Sequence, residues 1–240
     1  MKTARQLALL QLLSQHETLT TGALAAQFAV SKETIRRDLK SLQTEGKIVR
    51  RHGRARRLHS AHHDSGEPFY ARLKSHYADK ADIARHALNW VEAGMTLALD
   101  ASSTCFHLAK QLPDVPLTVF TNSLPVCHEM ARRQNINLIC SGGQLERKSR
   151  CYVNAALPTM LKSLEIDLFI FSCEGVDGTG EMWDSTSTNA RFKAQLLRRA
   201  AQSLLLIDKS KFYRAGEAKI GNLSLVTQMV TDVKPQGRYP

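Results

Sequence analysis

Two sets of residues in this chain have types and spacings that can do chemistry. In the first, Lys32, Thr34, Arg36 and Arg37 follow Ser31 in the stretch SKETIRRDL, and Arg50, Arg51, Arg54, Arg56 and Arg57 fall within eight residues further on. Cationic groups at that density neutralise phosphates, and an arginine early in a helix can also bond a guanine edge in a major groove. The second set is five polar runs that each follow an apolar one: Asp100-Ala-Ser-Ser-Thr104, Thr121-Asn-Ser123, Ser141-Gly-Gly143, Cys173-Glu-Gly-Val-Asp177 and Asp208-Lys-Ser-Lys211. Hydroxyls of Ser102, Ser103 and Thr104 beside Asp100, with backbone amides there and at Gly142 and Gly143, suit a phosphate. Glu174, Asp177 and Asn122 suit sugar hydroxyls, and Lys209 or Lys211 adds positive charge. Strand ends favour Gly, Asp and Ser in ordinary turns, so a polyol-phosphate site rests on all five runs together.

The first set needs a helix and a hairpin to position it. Ile35, Leu39 and Leu42 recur at i, i+4 and i+7, so one face of the SKETIRRDL helix is buried and its cationic part is presented. Ser31 stands where an N-cap belongs. Glu33, Asp38 and Glu45 leave a second reading open, an ordinary surface helix whose acids pair with Arg37, Lys40 and other neighbours. The flanks favour the first reading. Leu9, Leu12 and Leu13 form one upstream apolar face, and Leu24, Ala25 and Phe28 form another on a short helix ending near Ala29, which makes a three-helix core. Downstream, Gly46 stops the helix. Ile48 to His52 then reads as a strand, Gly53-Arg54-Ala55 as a turn, and the residues to Leu58 as a second strand. This is the layout of a winged helix-turn-helix, with arginines placed to grip phosphates beside the groove or to enter the minor groove.

Charge divides the chain in the same way. Residues 1–60 hold twelve Lys and Arg against four Asp and Glu, so eight of the net +11 charges lie in one quarter of the 240 residues. A basic head on a nearly neutral body is the footprint of a nucleic-acid-binding domain joined to a separate one. No lipid-facing stripe remains on the head for a membrane surface, and no apolar run approaches a membrane span. No N-terminal signal peptide is recognisable, and a cytoplasmic protein is expected. Five cysteines, odd in number and without a CxxC pair, are expected as reduced thiols. His59, His62 and His63 lie in the polar stretch SAHHDSGEP, which reads as linker rather than as a metal site. The expected organisation is a winged helix-turn-helix over 1–59, a linker over 60–75 and a second domain over 76–240.

The second set needs a sheet. Tyr77 to Ala93 predicts a helix closed by Gly94. Apolar runs at 96–99, 117–120, 136–140, 167–171 and 204–207 then alternate with amphipathic stretches at 104–112, 124–133, 158–164 and 190–201. Buried parallel strands crossed by helices give this alternation, and the fold class is α/β with a Rossmann-like sheet. In such sheets ligands lodge at the carboxyl ends of the strands.

The residues from Arg5 through Leu9 and Leu13 to SKETIRRDL, with the wing RHGRA, resemble the DNA-binding region of the DeoR family of bacterial sugar-metabolism regulators. LDASST, FTNS, SGG, EIDLFIFSCEG and LLLIDKSKF extend the resemblance over the whole chain. It implies an effector domain resembling ribose-phosphate isomerases, a double-stranded DNA operator and a small sugar phosphate as effector. A homo-oligomer is expected because one small winged helix gives limited specificity and symmetric oligomers read repeated half-sites. DASSTC, SLEIDLFIFSCEG and RAAQSLLLIDKSKF are most similar to the branch governing L-fucose use, which implies fuculose 1-phosphate and gene activation. The residues implied for DNA are Ser31, Lys32, Thr34, Arg36, Arg37, Arg51, His52 and Arg54. Two departures stand out: the wing's usual HGGA is HGRA, and the frequent D-x-G-T-T is Asp100-Ala-Ser-Ser-Thr104, which loses a glycine's freedom.

No catalytic residue, metal or cofactor is expected. Three alternatives remain: a repressor answering another sugar phosphate, a sugar-phosphate isomerase with Glu174 or Asp177 as acid or base, and an RNA-binding regulator. The last lacks aromatic residues for stacking, since residues 1–60 contain only Phe28.

Overall fold

The computed structural model describes residues 19–44, 48–51, 54–57 and 67–232, with Arg5, Gln6, Ala8, Leu9 and Leu12. The chain divides into two compact units, residues 1–63 and 64–240.

In the first unit the described residues between Arg5 and Leu12 are helical. Strand β1 (Leu19–Thr20) leads into helix α1 (Thr21–Gln27), whose N-cap Thr20 accepts the Ala23 amide at 3.1 Å. A turn through Ala29, at φ 48°, delivers the chain to helix α2 (Lys32–Thr44). Leu9, Leu24, Ala25, Ile35, Leu39 and Leu42 are buried together, with Leu12, Phe28 and Val30 packed on them. The three apolar faces therefore meet as their spacing requires; Leu13 and Gly46 lie outside the described residues.

Strands β2 (Ile48–Arg51) and β3 (Arg54–Arg57) pair antiparallel, and β1 joins the far side of β3. The hairpin differs from the expected one in its turn. Arg51 lies opposite Arg54, and Arg50 opposite Ala55. Arg54 and Ala55 are thus strand residues, and only positions 52 and 53 separate the strands. His52 and Gly53 lie outside the described residues.

The second unit opens with helices α3 (Phe69–Lys74) and α4 (Tyr77–Ala87). Strand β4 (Thr96–Leu99), helix α5 (Ser103–Gln111), strand β5 (Leu117–Thr121), helix α6 (Leu124–Met130) and strand β6 (Ile136–Cys140) follow. A short hairpin, β7 (Gln144–Glu146) and β8 (Cys151–Val153), precedes helix α7 (Leu157–Met160) and strand β9 (Leu168–Phe171). Next come β10 (Gly175–Val176), β11 (Glu181–Asp184), helix α8 (Ser187–Leu197), β12 (Gln202–Leu206), β13 (Ala218–Asn222) and β14 (Gln228–Val230).

Six of these strands form one parallel sheet in the order β14-β12-β9-β4-β5-β6. Counted along the chain, that is the doubly wound order 3-2-1-4-5-6, whose switch point lies between β4 and β9. Adjacent residues of each strand enter different cores. Leu97, Leu99, Val119, Leu168, Ile170, Leu204 and Leu206 pack on one face, and Ala98, Phe120, Phe169, Phe171 and Leu205 on the other. Burial on both faces explains why the strands read as continuous apolar runs rather than as alternations.

Two expectations are corrected here. The helix expected over Tyr77–Ala93 is α-helical only to Ala87, then passes through one tighter turn, Leu88–Trp90, into extended Val91. Gly94, at φ 92°, donates its amide to Pro116 O at 2.7 Å, which turns the chain toward the sheet. The stretch 60–75, expected as linker, contains α3. Phe69 is buried edge-on to Phe106, 5.7 Å between centroids, and its amide donates to Lys148 O at 2.9 Å.

Candidate functional site

On α2 the buried stripe of Ile35, Leu39 and Leu42 turns Lys32, Arg36 and Arg37 outward, and Thr34 is half-buried. Ser31 caps the helix: its Oγ accepts the Thr34 amide at 3.1 Å and lies 2.9 Å from Thr34 Oγ1. Glu33 lies 3.6 Å from Arg36 Nη1 and 3.7 Å from Arg37 Nε, with Arg36 59% and Arg37 80% exposed. Pairs this open to solvent contribute little, so neither guanidinium is withdrawn from the surface. Asp38 belongs to the core instead. It is buried and accepts from Arg5 Nε at 2.5 Å, tying the first helix to α2. Arg51 and Arg54 are Cα partners in the hairpin register.

In the second unit a cavity of about 240 Å³ opens where β4, β5 and β9 end. The sequence-expected residues on its wall are Asp100, Ser102, Ser103, Thr104, Asn122, Glu174 and Lys211. Ser102 caps α5, its Oγ accepting the Cys105 amide at 3.1 Å, so the free first-turn amides of that helix point at the cavity. Its φ of −76° is an ordinary extended value that any residue adopts. Serine where the family pattern has glycine therefore leaves this loop unstrained.

The floor is a buried ionic cluster. Asp100 Oδ1 accepts from the Ser102 hydroxyl at 2.6 Å and its amide at 3.1 Å, while Oδ2 lies 3.0 Å from Lys193 Nζ. Lys193 also donates to Asp184. Burial opposes the charge on Lys193, but Asp184 and Asp100 outweigh it and hold the ammonium above its ordinary range. Glu174 is paired with Arg214 and lies 3.9 Å from Lys211 Nζ. Burial pushes the Cys173 thiol up to about 12, which makes it a poor nucleophile at neutral pH.

Asn122 is the polar group on this wall that awaits a partner. It is 1% exposed, its Oδ1 accepts no hydrogen bond among the described residues, and a buried acceptor left so is costly. A hydroxyl or amide of a bound molecule would supply the donor.

Gly142, Gly143, Asp177 and Lys209 are not brought to the cavity. Gly143 sits at φ 103° where a Cβ would lie 2.2 Å from Val153 O, so its role is close approach of the β7–β8 hairpin. Asp177 accepts from the Thr179 hydroxyl at 2.7 Å and from Trp183 Nε1 at 2.8 Å, bonds that hold its carboxyl well below the usual carboxylate range. It shapes the turn between β10 and β11. Lys209 is largely exposed, 3.8 Å from Asp232. Conversely, Arg72, Lys80, Asp184, Asn189, Lys193 and Arg214 line the cavity unexpectedly. For two of them a signal was present. Lys193 shares the buried phase of Ala190 and Leu196, and Lys80 that of Ile83 and Ala84.

Residues 5–61 match the DeoR-like helix-turn-helix domain, and residues 75–233 match the DeoR C terminal sensor domain. The chain belongs to the DeoR family. Among its DeoR-family relatives is the L-fucose operon activator of Escherichia coli (strain K12), 64% identical over 232 residues that cover 97% of this chain and 96% of that one. Solved structures similar to this chain include eIF2B delta from Chaetomium thermophilum, with TM-score 0.51 and 11% identity over 69% of this chain and 59% of that one. Ribose 5-phosphate isomerase A from Methanocaldococcus jannaschii is similar at TM-score 0.44 and 14% identity, over 57% of this chain and 55% of that one. Along this chain a unit matching the DeoR-like helix-turn-helix domain is followed by a parallel-sheet unit matching the DeoR C terminal sensor domain. No described helix is long and apolar enough to cross a membrane. No cluster of three or more His, Cys, Asp or Glu suited to a metal occurs among the described residues, and His59, His62 and His63 lie outside them.

Proposed function

We propose that this chain activates L-fucose utilisation genes in the cytoplasm, binding operator DNA through α2 and the arginine hairpin and sensing fuculose 1-phosphate in the β4–β5–β9 cavity. The observation that carries this reading is the 64% identity, along 97% of the chain, to the L-fucose operon activator. Ser31, Lys32, Thr34, Arg36 and Arg37, with Arg51, His52 and Arg54 of the hairpin, are the DNA-facing set. Asp100, Ser102, Ser103, Thr104, Asn122, Glu174 and Lys211 are the effector set. The cavity's size suits a small phosphorylated sugar, and Asn122 Oδ1, unpaired among the described residues, suits one of its hydroxyls. The chain acts as a homo-oligomer, because one small winged helix reads too short a site for specificity.

Effector binding shifts a population of subunit arrangements. A coupling of about 1–3 kcal/mol changes operator affinity about 5- to 150-fold. A regulatory rather than catalytic role is supported by the two carboxylates that isomerase chemistry would use. Asp177 is locked into a turn and Glu174 is paired with Arg214. The test is fluorescence anisotropy on fucose-promoter DNA with fuculose 1-phosphate and a panel of other sugar phosphates. A shift with fuculose 1-phosphate alone is expected. A shift with another member makes the chain a regulator of a different sugar, and no specific DNA binding under any condition overturns the reading.

A further inference from the structure

One wall of the sensor cavity is built by a segment that precedes the sheet, whereas strand ends and helix α8 form the rest. Glu67, Arg72, Ser75 and His76 line it, followed by Lys80. These residues run through α3 to the start of α4, and residues 58–66 are all that separates the segment from the last strand of the arginine hairpin. The strap is anchored at one end by buried Phe69. At the other, His76 adopts φ 50° and ψ 39°, left-handed geometry that costs a non-glycine residue free energy and marks a joint between the two helices.

The charges on this wall differ from those on the floor. Asp100 and Asp184 are committed to Lys193, and Glu174 to Arg214. Neither Arg72 nor Lys80 forms an ion pair with a carboxylate among the described residues. Arg72 Nε donates to the Glu67 carbonyl at 3.1 Å. Lys80 is 4% exposed, and its Nζ donates to Arg72 O at 2.6 Å, Ser75 O at 2.8 Å and Ser75 Oγ at 3.3 Å. A buried ammonium held only by neutral oxygens, beside a guanidinium, leaves positive charge that an anion would neutralise. Burial, Lys211 and Arg72 accordingly push Lys80 down to about 8, against the opposing pull of Asp208 and Glu67.

We propose, on the reading that the cavity takes a sugar phosphate, that Arg72 and Lys80 hold the effector's anionic group and that its binding fixes residues 67–76, the strap leading to the DNA-binding unit. Arg72 grips the ligand directly. Lys80 supplies field from beneath while pinning the carboxyl end of α3. Occupancy of the cavity is thereby read by the segment that carries the head, with no need for a path through the sheet.

The experiment combines calorimetric titration of the full chain with fuculose 1-phosphate, unphosphorylated L-fuculose and the sugar-phosphate panel, and hydrogen exchange with and without the tightest binder. Slower exchange of amides in residues 69–80 is expected on binding. Arg72→Gln should weaken the phosphorylated sugar tenfold or more while leaving the unphosphorylated one unchanged, and Arg72→Lys should recover part of the loss. Tight binding by the native chain with unchanged exchange over 69–80 overturns the inference and leaves the effector reading standing. So does an Arg72→Gln chain that binds within twofold of native. Failure of the native chain to bind any sugar phosphate overturns both.

Discussion

Lys193 Nζ lies 3.0 Å from Asp100 Oδ2 and also bonds Asp184 Oδ2, so one buried ammonium joins the end of β4 to the end of β11. The pair of carboxylates needs this cation, because removing one partner of a buried ion pair leaves uncompensated charge in a medium that solvates it poorly. Lys193→Met should therefore lower stability by about 3–5 kcal/mol, measured by urea unfolding at neutral pH. A loss below about 1 kcal/mol would mean that both carboxylates reach water and that the floor is hydrated.

Gly143 is required by sterics rather than by ligand binding. At φ 103° an added Cβ would stand 2.2 Å from Val153 O, so Gly143→Ala must both strain the backbone and push β8 away. A cost of at least about 2 kcal/mol is expected from the two effects. Thermal unfolding measures it, and an unchanged midpoint would show that the hairpin yields freely. Effector affinity should change little beyond what the lost stability explains.

These two residues show what was legible in the sequence and what was not. Strand positions and the two-domain pattern could be read because both periodicities are local: Ile35, Leu39 and Leu42 on a helix, and continuous runs such as 168–171 in a doubly buried sheet. Strand-end runs were legible as a class, since helix caps such as Ser102 and acceptors such as Asn122 stand beside their strands. Which runs converge depends on strand order. β6 lies at the sheet edge, two strands from the switch point, so Gly142 and Gly143 miss the cavity. Lys193, Asp184 and Arg72 arrive from helix and hairpin segments far along the chain, and no local spacing announces such a meeting. Lys80 and Lys193 left one trace, a lysine in the buried phase of an amphipathic helix.

Asn122 should discriminate effectors by hydroxyl pattern. Its Oδ1 is buried without a donor among the described residues, so a sugar phosphate that supplies a hydroxyl there gains a bond that a deoxy analogue lacks. Asn122→Leu should weaken the effector about 3- to 10-fold, the worth of a neutral hydrogen bond, and should erase the difference between the effector and its deoxy analogues. Calorimetry on the analogue series decides this. If the variant keeps the native ranking of analogues, Asn122 does not read the ligand.

Arg37 is 80% exposed on the outward face of α2, and the proposed function has it read a base edge. Arg37→Ala should cost about 1–3 kcal/mol on operator DNA, far less on random DNA, and relax preference at one position of the site. Equal losses on both DNAs would make it a phosphate contact, with the salt slope reduced by about one unit.

Effector affinity should fall as the solution becomes alkaline. Lys80 is pushed down to about 8 in the free chain, with Lys211, Arg72, Asp208 and Glu67 as its charged neighbours. An anion bound beside it favours the protonated form, so the complex has the higher pKa. The sign follows: the attraction is fully present below pH 8 and is lost as pH rises through the free-chain value. Between pH 7 and pH 9 the dissociation constant should rise about tenfold if Lys80 remains protonated in the complex throughout. Nearby His107, which burial lowers from its usual range, is neutral across that window and contributes nothing to it. Calorimetry near pH 8 in buffers of different ionisation enthalpy should register proton uptake on binding. A pH-independent affinity with no proton uptake would place the anionic group away from Lys80.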